Sequence, residues 1–176
     1  MRIAVCDDDQ AIREELIQLI QKQVSDVDIV RYQSGEEMIS AKGNFDIYFL
    51  DIEMGSVSGM DLARRIREQE EGVRQRSIII FVTGYREYME AAFDVNAFHY
   101  LVKPIDEGKF SEVFSRAWKE MSVSSEQAKK YIIVKSTGAQ KKLLLRNIYY
   151  IESGNKKVII HTTDGTLEVY GKMEEL

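Results

Sequence analysis

The chain has 176 residues, 44% of them hydrophobic and 30% charged, which suits a soluble globular protein of one large or two small domains and leaves enough apolar surface for a buried core. A single cysteine, Cys6, excludes an intrachain disulfide and points to a reducing compartment. Met1-Arg2 runs straight into a strand rather than a signal peptide, and no apolar run approaches the roughly 18 residues of a spanning helix, so a cytoplasmic location is expected. The formal net charge of -5 is unevenly spread: residues 1–121 carry 15 Lys+Arg against 23 Asp+Glu, and residues 122–176 carry 9 against 6. An acidic front and a basic back suggest two modules with different partners.

In chain order, Arg2 to Cys6 is a short apolar strand that ends in Asp7-Asp8-Asp9. Ile12, Leu16, Leu19, Ile20 and Val24 keep helical spacing behind Asp9, a residue suited to capping. A second strand covers 28–32. Ser34-Gly35-Glu36-Glu37 then has the Ser-x-x-Glu form of a capping box opening a short helix. The run 45–50 is apolar without period-2 alternation, as in a parallel-sheet strand buried on both faces, and it delivers Asp51 to its end. Ser58 to Asp61 opens a helix expected to end near Gly72, with Leu62 and Ile66 inward and Arg64, Arg65 and Arg67 outward.

A fourth buried strand over 77–82 ends at Thr83-Gly84, a helix is expected over 87–93, and a fifth strand over 99–102 ends at Lys103-Pro104. Phe110, Val113, Phe114, Ala117 and Trp118 then mark the inner face of a helix over 107–121. Five strands alternating with five helices predict a five-stranded parallel sheet covered by helices on both faces, a flavodoxin-like α/β arrangement. Residues 122–130 are polar and Ser-rich, and read as a linker. From Tyr131 the pattern changes to short β-type runs, with Asp164-Gly165 as a hairpin turn and a helix starting at 171.

The strand ends bring Asp7, Asp8, Asp51, Thr83 and Lys103 to one edge of one sheet, the edge at which open α/β sheets bind ligands. Crowded carboxylates raise one another's pKa unless a cation relieves them. An all-oxygen cluster suits Mg²⁺, and one carboxylate could accept a phosphoryl group while Lys103 and the Thr83 hydroxyl offset charge on it.

Val5-Cys6-Asp7-Asp8, Leu50-Asp51-Ile52-x-Met54, Thr83-Gly84 and Tyr100-Leu101-Val102-Lys103-Pro104 resemble the receiver domain of two-component response regulators over residues 1–121. The resemblance implies that Asp51 is the phosphoacceptor for a histidine kinase. It implies that Asp8, Asp51 and the backbone carbonyl of Glu53 bind Mg²⁺ with Asp7 helping through water. It also implies that Lys103 contacts the phosphoryl group, that Thr83 and Tyr100 switch together, that Lys103-Pro104 is cis, and that a homodimer forms on phosphorylation. Gly55 stands where the family usually has proline, which loosens the loop without removing a ligand.

Residues 131–176 resemble the N-terminal part of a LytTR-type DNA-binding domain, on Ile148 to Ser153, Val158 to Thr162 and Tyr170 to Leu176. Such a half-domain is incomplete, so weak DNA binding or none is expected, and the resemblance implies that the turn containing Asn155, Lys156 and Lys157 is one DNA-facing loop. Two other readings compete: a Mg²⁺-dependent phosphatase of the haloacid-dehalogenase type, and a receiver whose output binds only protein. Against the phosphatase, those enzymes place a second Asp two residues after the nucleophile, where this chain has Glu53.

Overall fold

The computed structural model describes residues 1–70, 76–85, 87–136, 139–154 and 157–170. They fall into two compact units, Met1–Met121 and Ser122–Leu176. In the first, β1 (Arg2–Cys6), α1 (Gln10–Gln23), β2 (Asp28–Tyr32), α2 (Gly35–Ala41), β3 (Ile47–Leu50), α3 (Gly59–Gln69), β4 (Ile78–Thr83), α4 (Met89–Asp94), β5 (His99–Val102) and α5 (Glu107–Lys129), whose last residues extend beyond Met121, alternate without exception. The sheet runs β2-β1-β3-β4-β5 with every pair parallel.

The continuous apolar runs are explained by which side chains go where. Ile3, Val5, Ile47, Phe49, Ile78, Ile80 and Val82 point to one face, against Leu16 and Ile20 of α1 and Phe110 and Phe114 of α5. Ala4, Cys6, Tyr48, Leu50, Ile79 and Phe81 point to the other, against Met38 of α2, Leu62 of α3 and Ala92 of α4. Each large side chain so buried stabilises the fold by roughly 1.5–3 kcal/mol. Two covered faces leave no polar position to alternate with.

Helix starts follow the local chemistry. Asp9 caps α1, its carboxylate accepting from the Ala11 N–H at 2.8 Å. At α2 the Ser34 hydroxyl accepts from Glu37 N–H at 3.2 Å, but the Glu37 carboxylate returns to the N–H of Gln33 at 2.8 Å rather than to Ser34, so the expected box is displaced by one residue. The complete box is at α3, where Ser58 and Asp61 serve each other's backbone. There the Ser58 hydroxyl holds the Asp61 carboxyl below the usual carboxylate range.

Three boundaries differ from expectation. Helix α4 starts at Met89 and α3 ends at Gln69, short of Gly72, which lies outside the described residues. Helix α5 continues to Lys129, so 122–129 is helical where composition suggested a polar connector. A short polar run without Gly or Pro carries no signal that stops a helix.

In the second unit β6 (Tyr131–Ser136) and β7 (Ala139–Leu144) form one antiparallel pair, and β8 (Ile148–Gly154), β9 (Lys157–Thr162) and β10 (Gly165–Tyr170) form an antiparallel sheet of order β10-β9-β8. Gly165, at φ 122, makes the β9–β10 turn. Val134, Leu143, Val158, Ile160 and Val169 are its buried core. The helix expected from 171 lies outside the described residues, as do Asn155 and Lys156.

Arg67, expected outside, is instead a structural hub. Its guanidinium donates to Val95 O at 2.8 Å, Glu70 Oε2 at 2.6 Å, Ser77 O at 3.0 Å and Asn96 O at 3.2 Å, with its side chain 12% exposed. It ties the end of α3 to the start of β4 and to the turn before β5. Arg67→Ala therefore leaves Glu70 and several carbonyls unpaired and should cost about 3 kcal/mol. Arg64→Ala breaks only an exposed pair with Asp61 and should cost at most about 0.5 kcal/mol. Urea denaturation of the two variants checks this; equal midpoints would remove the hub assignment.

Candidate functional site

The strand register decides which side chains meet. Leu50 pairs with both Cys6 and Phe81, and Val102 pairs with Thr83. The next residues along β1, β3 and β5 are therefore Asp7, Asp51 and Lys103, with Thr83 as the last residue of β4, all at the carboxyl end of one sheet. Carboxylate oxygens of Asp7, Asp8 and Asp51 lie within 4.8 Å of one another. The Lys103 ammonium sits 2.7 Å from Asp51 Oδ2 and 2.8 Å from Asp7 Oδ2. Asp51 Oδ1 accepts from the Ile52 N–H at 2.6 Å.

Burial sets the electrostatics. Asp7 and Thr83 are fully buried, Asp51 is 7% exposed, and Asp8 is exposed. Burial raises the Asp7 carboxyl above its ordinary pKa, against the opposing pull of Lys103. Burial works to lower Lys103, but its bonds to Asp51 and Asp7 outweigh this and raise it. Apart from that ammonium, no hydrogen-bond donor satisfies Asp7 Oδ2 among the described residues. An all-oxygen cluster with an under-satisfied buried carboxylate fits Mg²⁺, which takes one or two carboxylates and keeps several waters. Cys6 is inert beside it, its thiol pushed up to about 12 by burial.

Around this centre Thr83 Oγ1 accepts from Tyr85 N–H at 3.4 Å, and the hydroxyl of half-buried Tyr100 donates to the Tyr85 carbonyl. Burial, then the charges of Glu87 and Asp51, push the Tyr100 phenol up to about 12. Lys103-Pro104 is cis. Gly55 has φ 76, which proline, fixed near -65°, cannot adopt. This glycine therefore gives the loop a left-handed turn that a proline would forbid, a larger departure than loosening.

A response-regulator receiver-domain family model matches residues 3–115. The chain belongs to the response-regulator receiver family. It is 35% identical over 126 residues to the sensory transduction protein LytT of Enterococcus faecalis, covering 69% of this chain and 49% of that protein. It is 29% identical over 175 residues to the transcriptional regulatory protein BtsR of Escherichia coli, covering 94% of this chain and 71% of that protein. The chain thus spans about half the length of its LytT relatives. Among solved structures, the response regulatory domain of mrkE from Klebsiella pneumoniae aligns with TM-score 0.63 at 25% identity over 70% of this chain and 99% of that one. The response regulator TrrA from Thermotoga maritima, solved with Mg²⁺-BeF, aligns with TM-score 0.56 at 31% identity over 66% and 97%. Among the described residues no helix is long and apolar enough to cross a membrane.

Several contacts of the receiver site were not legible in the sequence. Gly59 donates its N–H to Ile52 O at 2.9 Å, and a Cβ there would land on the Asp51 carbonyl oxygen. Only glycine lets α3 start this close to the strand end. The Glu53 carboxylate is approached by the Tyr88 hydroxyl at 3.4 Å, and its hydrogen bond raises the Tyr85 phenol. Arg13 donates to the Asp7 carbonyl at 2.6 Å from α1. The first had a signal in the Ser-Gly before a helix; the others depend on loop paths that spacing does not reveal. Of the three residues expected to face DNA, only Lys157 is described, and it pairs with Glu168 at 3.0 Å.

Because the folded state raises the Asp7 pKa, its charge opposes folding above the unfolded-state pKa, and that cost is relieved as pH falls. Asp7→Asn should therefore stabilise the metal-free protein at neutral pH by on the order of 1 kcal/mol, seen as a higher Tm, and should abolish the Tm increase produced by Mg²⁺. Thermal melts with and without Mg²⁺ test both; a less stable variant that keeps the Mg²⁺ effect would contradict the assignment. Gly59→Ala should lower stability by about 2 kcal/mol or more through the collision with Asp51, measured the same way.

Proposed function

We propose that this chain is the phosphorylation-activated part of a transcription regulator, in which Asp51 takes a phosphoryl group from a histidine kinase. The observation that carries this is the Lys103 ammonium seated between Asp7 and Asp51 at 2.8 and 2.7 Å, inside a group of three carboxylates. An Asp51 oxygen attacks phosphorus, the O–P bond forms as the P–N bond to the donor imidazole breaks, and the imidazole leaves with a proton from solvent. Lys103 pairs with an oxygen of the transferred group, and the Thr83 hydroxyl, two residues from the Tyr85 N–H it now accepts, turns toward it. Asp7, Asp8 and Asp51 with the backbone carbonyl of Glu53 would hold Mg²⁺, which supplies positive charge to the equatorial oxygens when bound. The Mg²⁺-BeF held by TrrA supports this reading.

Residues 1–121 serve as the receiver, 122–130 as the connector, and 131–176 as the first part of a LytTR-type output domain for double-stranded DNA. The alignment with BtsR across 94% of this chain supports that division. The regulator acts in the cytoplasm. Thr83 and Tyr100 report the phosphoryl group to α4, the helix they border. Phosphorylation then promotes a homodimer through α4, β5 and α5, where Phe93 is 77% and Met89 42% exposed. A phosphatase of the haloacid-dehalogenase type has less support, because Glu53 occupies the general-acid position and its carboxylate is engaged by tyrosines.

Incubation with acetyl phosphate and Mg²⁺ should add the mass of one phosphoryl group, a gain abolished by Asp51→Asn and by chelation. If Asp51→Asn gains the same mass with the same metal dependence, the acceptor lies elsewhere. Light scattering with beryllofluoride and Mg²⁺ should show the mass doubling at micromolar protein. An unchanged mass there would refute the dimer.

A further inference from the structure

Between α2 and α3, at the end of the sheet opposite Asp51, lies a groove of about 470 Å³, within the roughly 300–1,000 Å³ typical of small-molecule sites. Its floor is Met38, Tyr48 and Leu62, all at least nine-tenths buried, and Lys42 and Arg65 stand exposed on its rim. Neither of these two cations has a side-chain hydrogen bond or ion pair among the described residues. The contrast along α3 is informative: Arg64 is paired with Asp61 and Arg67 with Glu70, while Arg65, between them, faces the groove. The Tyr48 hydroxyl accepts from Phe45 N–H at 3.1 Å and keeps its own proton to donate. Burial raises that phenol and keeps it protonated.

The backbone adds a second observation. Lys42 ends α2 at φ 48, in the left-handed region where a helix C-terminus usually has glycine. A glycine does follow, but at position 43, where a Cβ would meet the Phe45 ring at 2.8 Å. The chain thus keeps a lysine at the position whose dihedrals favour glycine, and the lysine stands on the rim.

We infer that this groove binds a small amphiphilic anion, its single carboxylate held by Lys42 and Arg65 and its hydrocarbon body laid against Met38, Leu62 and Ile66. Two exposed cations lining one groove over an apolar floor match one acid group joined to an apolar body. Glu68 lies on the same wall, about one helical turn from Arg65, and repels a second carboxylate, so an acidic peptide along α3 fits less well. The walls are not isolated from Asp51. The N-terminus of α2 touches the loop after it through Gly35 against Val57 and the Ser56 hydroxyl on Glu36, and α3 touches Asp51 at Gly59. A molecule in the groove would brace both helices.

The test is a titration of the methyl-labelled full chain with octanoate, 1-octanol and an acidic amphipathic peptide, followed by NMR at Met38, Leu62 and Ile66. Octanoate should shift those methyls in a saturable way and bind about tenfold or more tightly than octanol. Lys42→Gly and Arg65→Gln should each weaken octanoate several-fold, while Lys42→Gly leaves Tm unchanged or raised because glycine suits its dihedrals. Unshifted methyls at millimolar octanoate, equal affinity for octanol, or shifts produced only by the peptide would each overturn the inference.

Discussion

The ammonium of Lys103, 2.7 Å from Asp51 and 2.8 Å from Asp7, is the contact on which the first unit is organised. It draws together residues that follow β1, β3 and β5, so it can form only if the parallel register is right. It also leaves the site charge-unbalanced: with all three acids ionised, three carboxylates face one ammonium. Part of that imbalance falls on Asp7, whose carboxyl burial holds above its ordinary pKa. Under the proposed function, a divalent cation would complete the balance, and a phosphoryl dianion arriving with it would find Lys103 already in place. The cost of burying like charges is thus linked to the chemistry that relieves it.

How much of this could be read from residues alone depends on the distance over which each signal acts. Asp7, Asp51, Thr83 and Lys103 were legible because each directly follows or ends an apolar run, with Asp8 one residue beyond Asp7, and a parallel sheet puts all such positions on one edge. The cap at Asp9 and the helix start at Ser58 were legible from local residue types as well. Arg67 was not: three arginines in four residues look alike, and only the Val95 and Asn96 carbonyls of a later turn single one out. The meeting of Glu53 with Tyr85 and Tyr88 was equally hidden, since it depends on the path of the β4–α4 loop. Helix α5 ran past its expected end because Ser-rich composition marks weak helix preference but supplies no stop.

The two units differ in how their sequences reach stability. The first has apolar clusters on both faces of one sheet, with fully buried Phe49, Phe81, Phe110 and Phe114. The second buries Val134, Leu143, Val158, Ile160 and Val169, while Tyr131, Ile133, Tyr149 and Tyr150 remain about half exposed or more. Its alternating strands cover one face only, as antiparallel sheets do. The Lys142 ammonium over the Tyr131 ring at 3.8 Å and the Tyr150–His161 stack at 4.2 Å are surface contacts on such outer faces.

Rigidity is distributed unevenly around Asp51, and this favours one exit for a change of charge there. On the α3 side Gly59 is packed against the Asp51 carbonyl with no room for a Cβ, and a full capping box fixes the helix start. Moving that backbone would require α3 to move as a body. On the α4 side the links are side-chain hydrogen bonds near the surface, from Tyr88 to Glu53 and from Tyr100 to the Tyr85 carbonyl. Helix α4 itself is six residues long, lacks a side-chain cap and buries only Ala92. Elements with few buried contacts open at the lowest free energy. Under the proposed function, a phosphoryl group on Asp51 that draws Thr83 toward it would therefore be absorbed by α4 and Tyr100 before it disturbed α3, because those contacts are the cheapest to exchange.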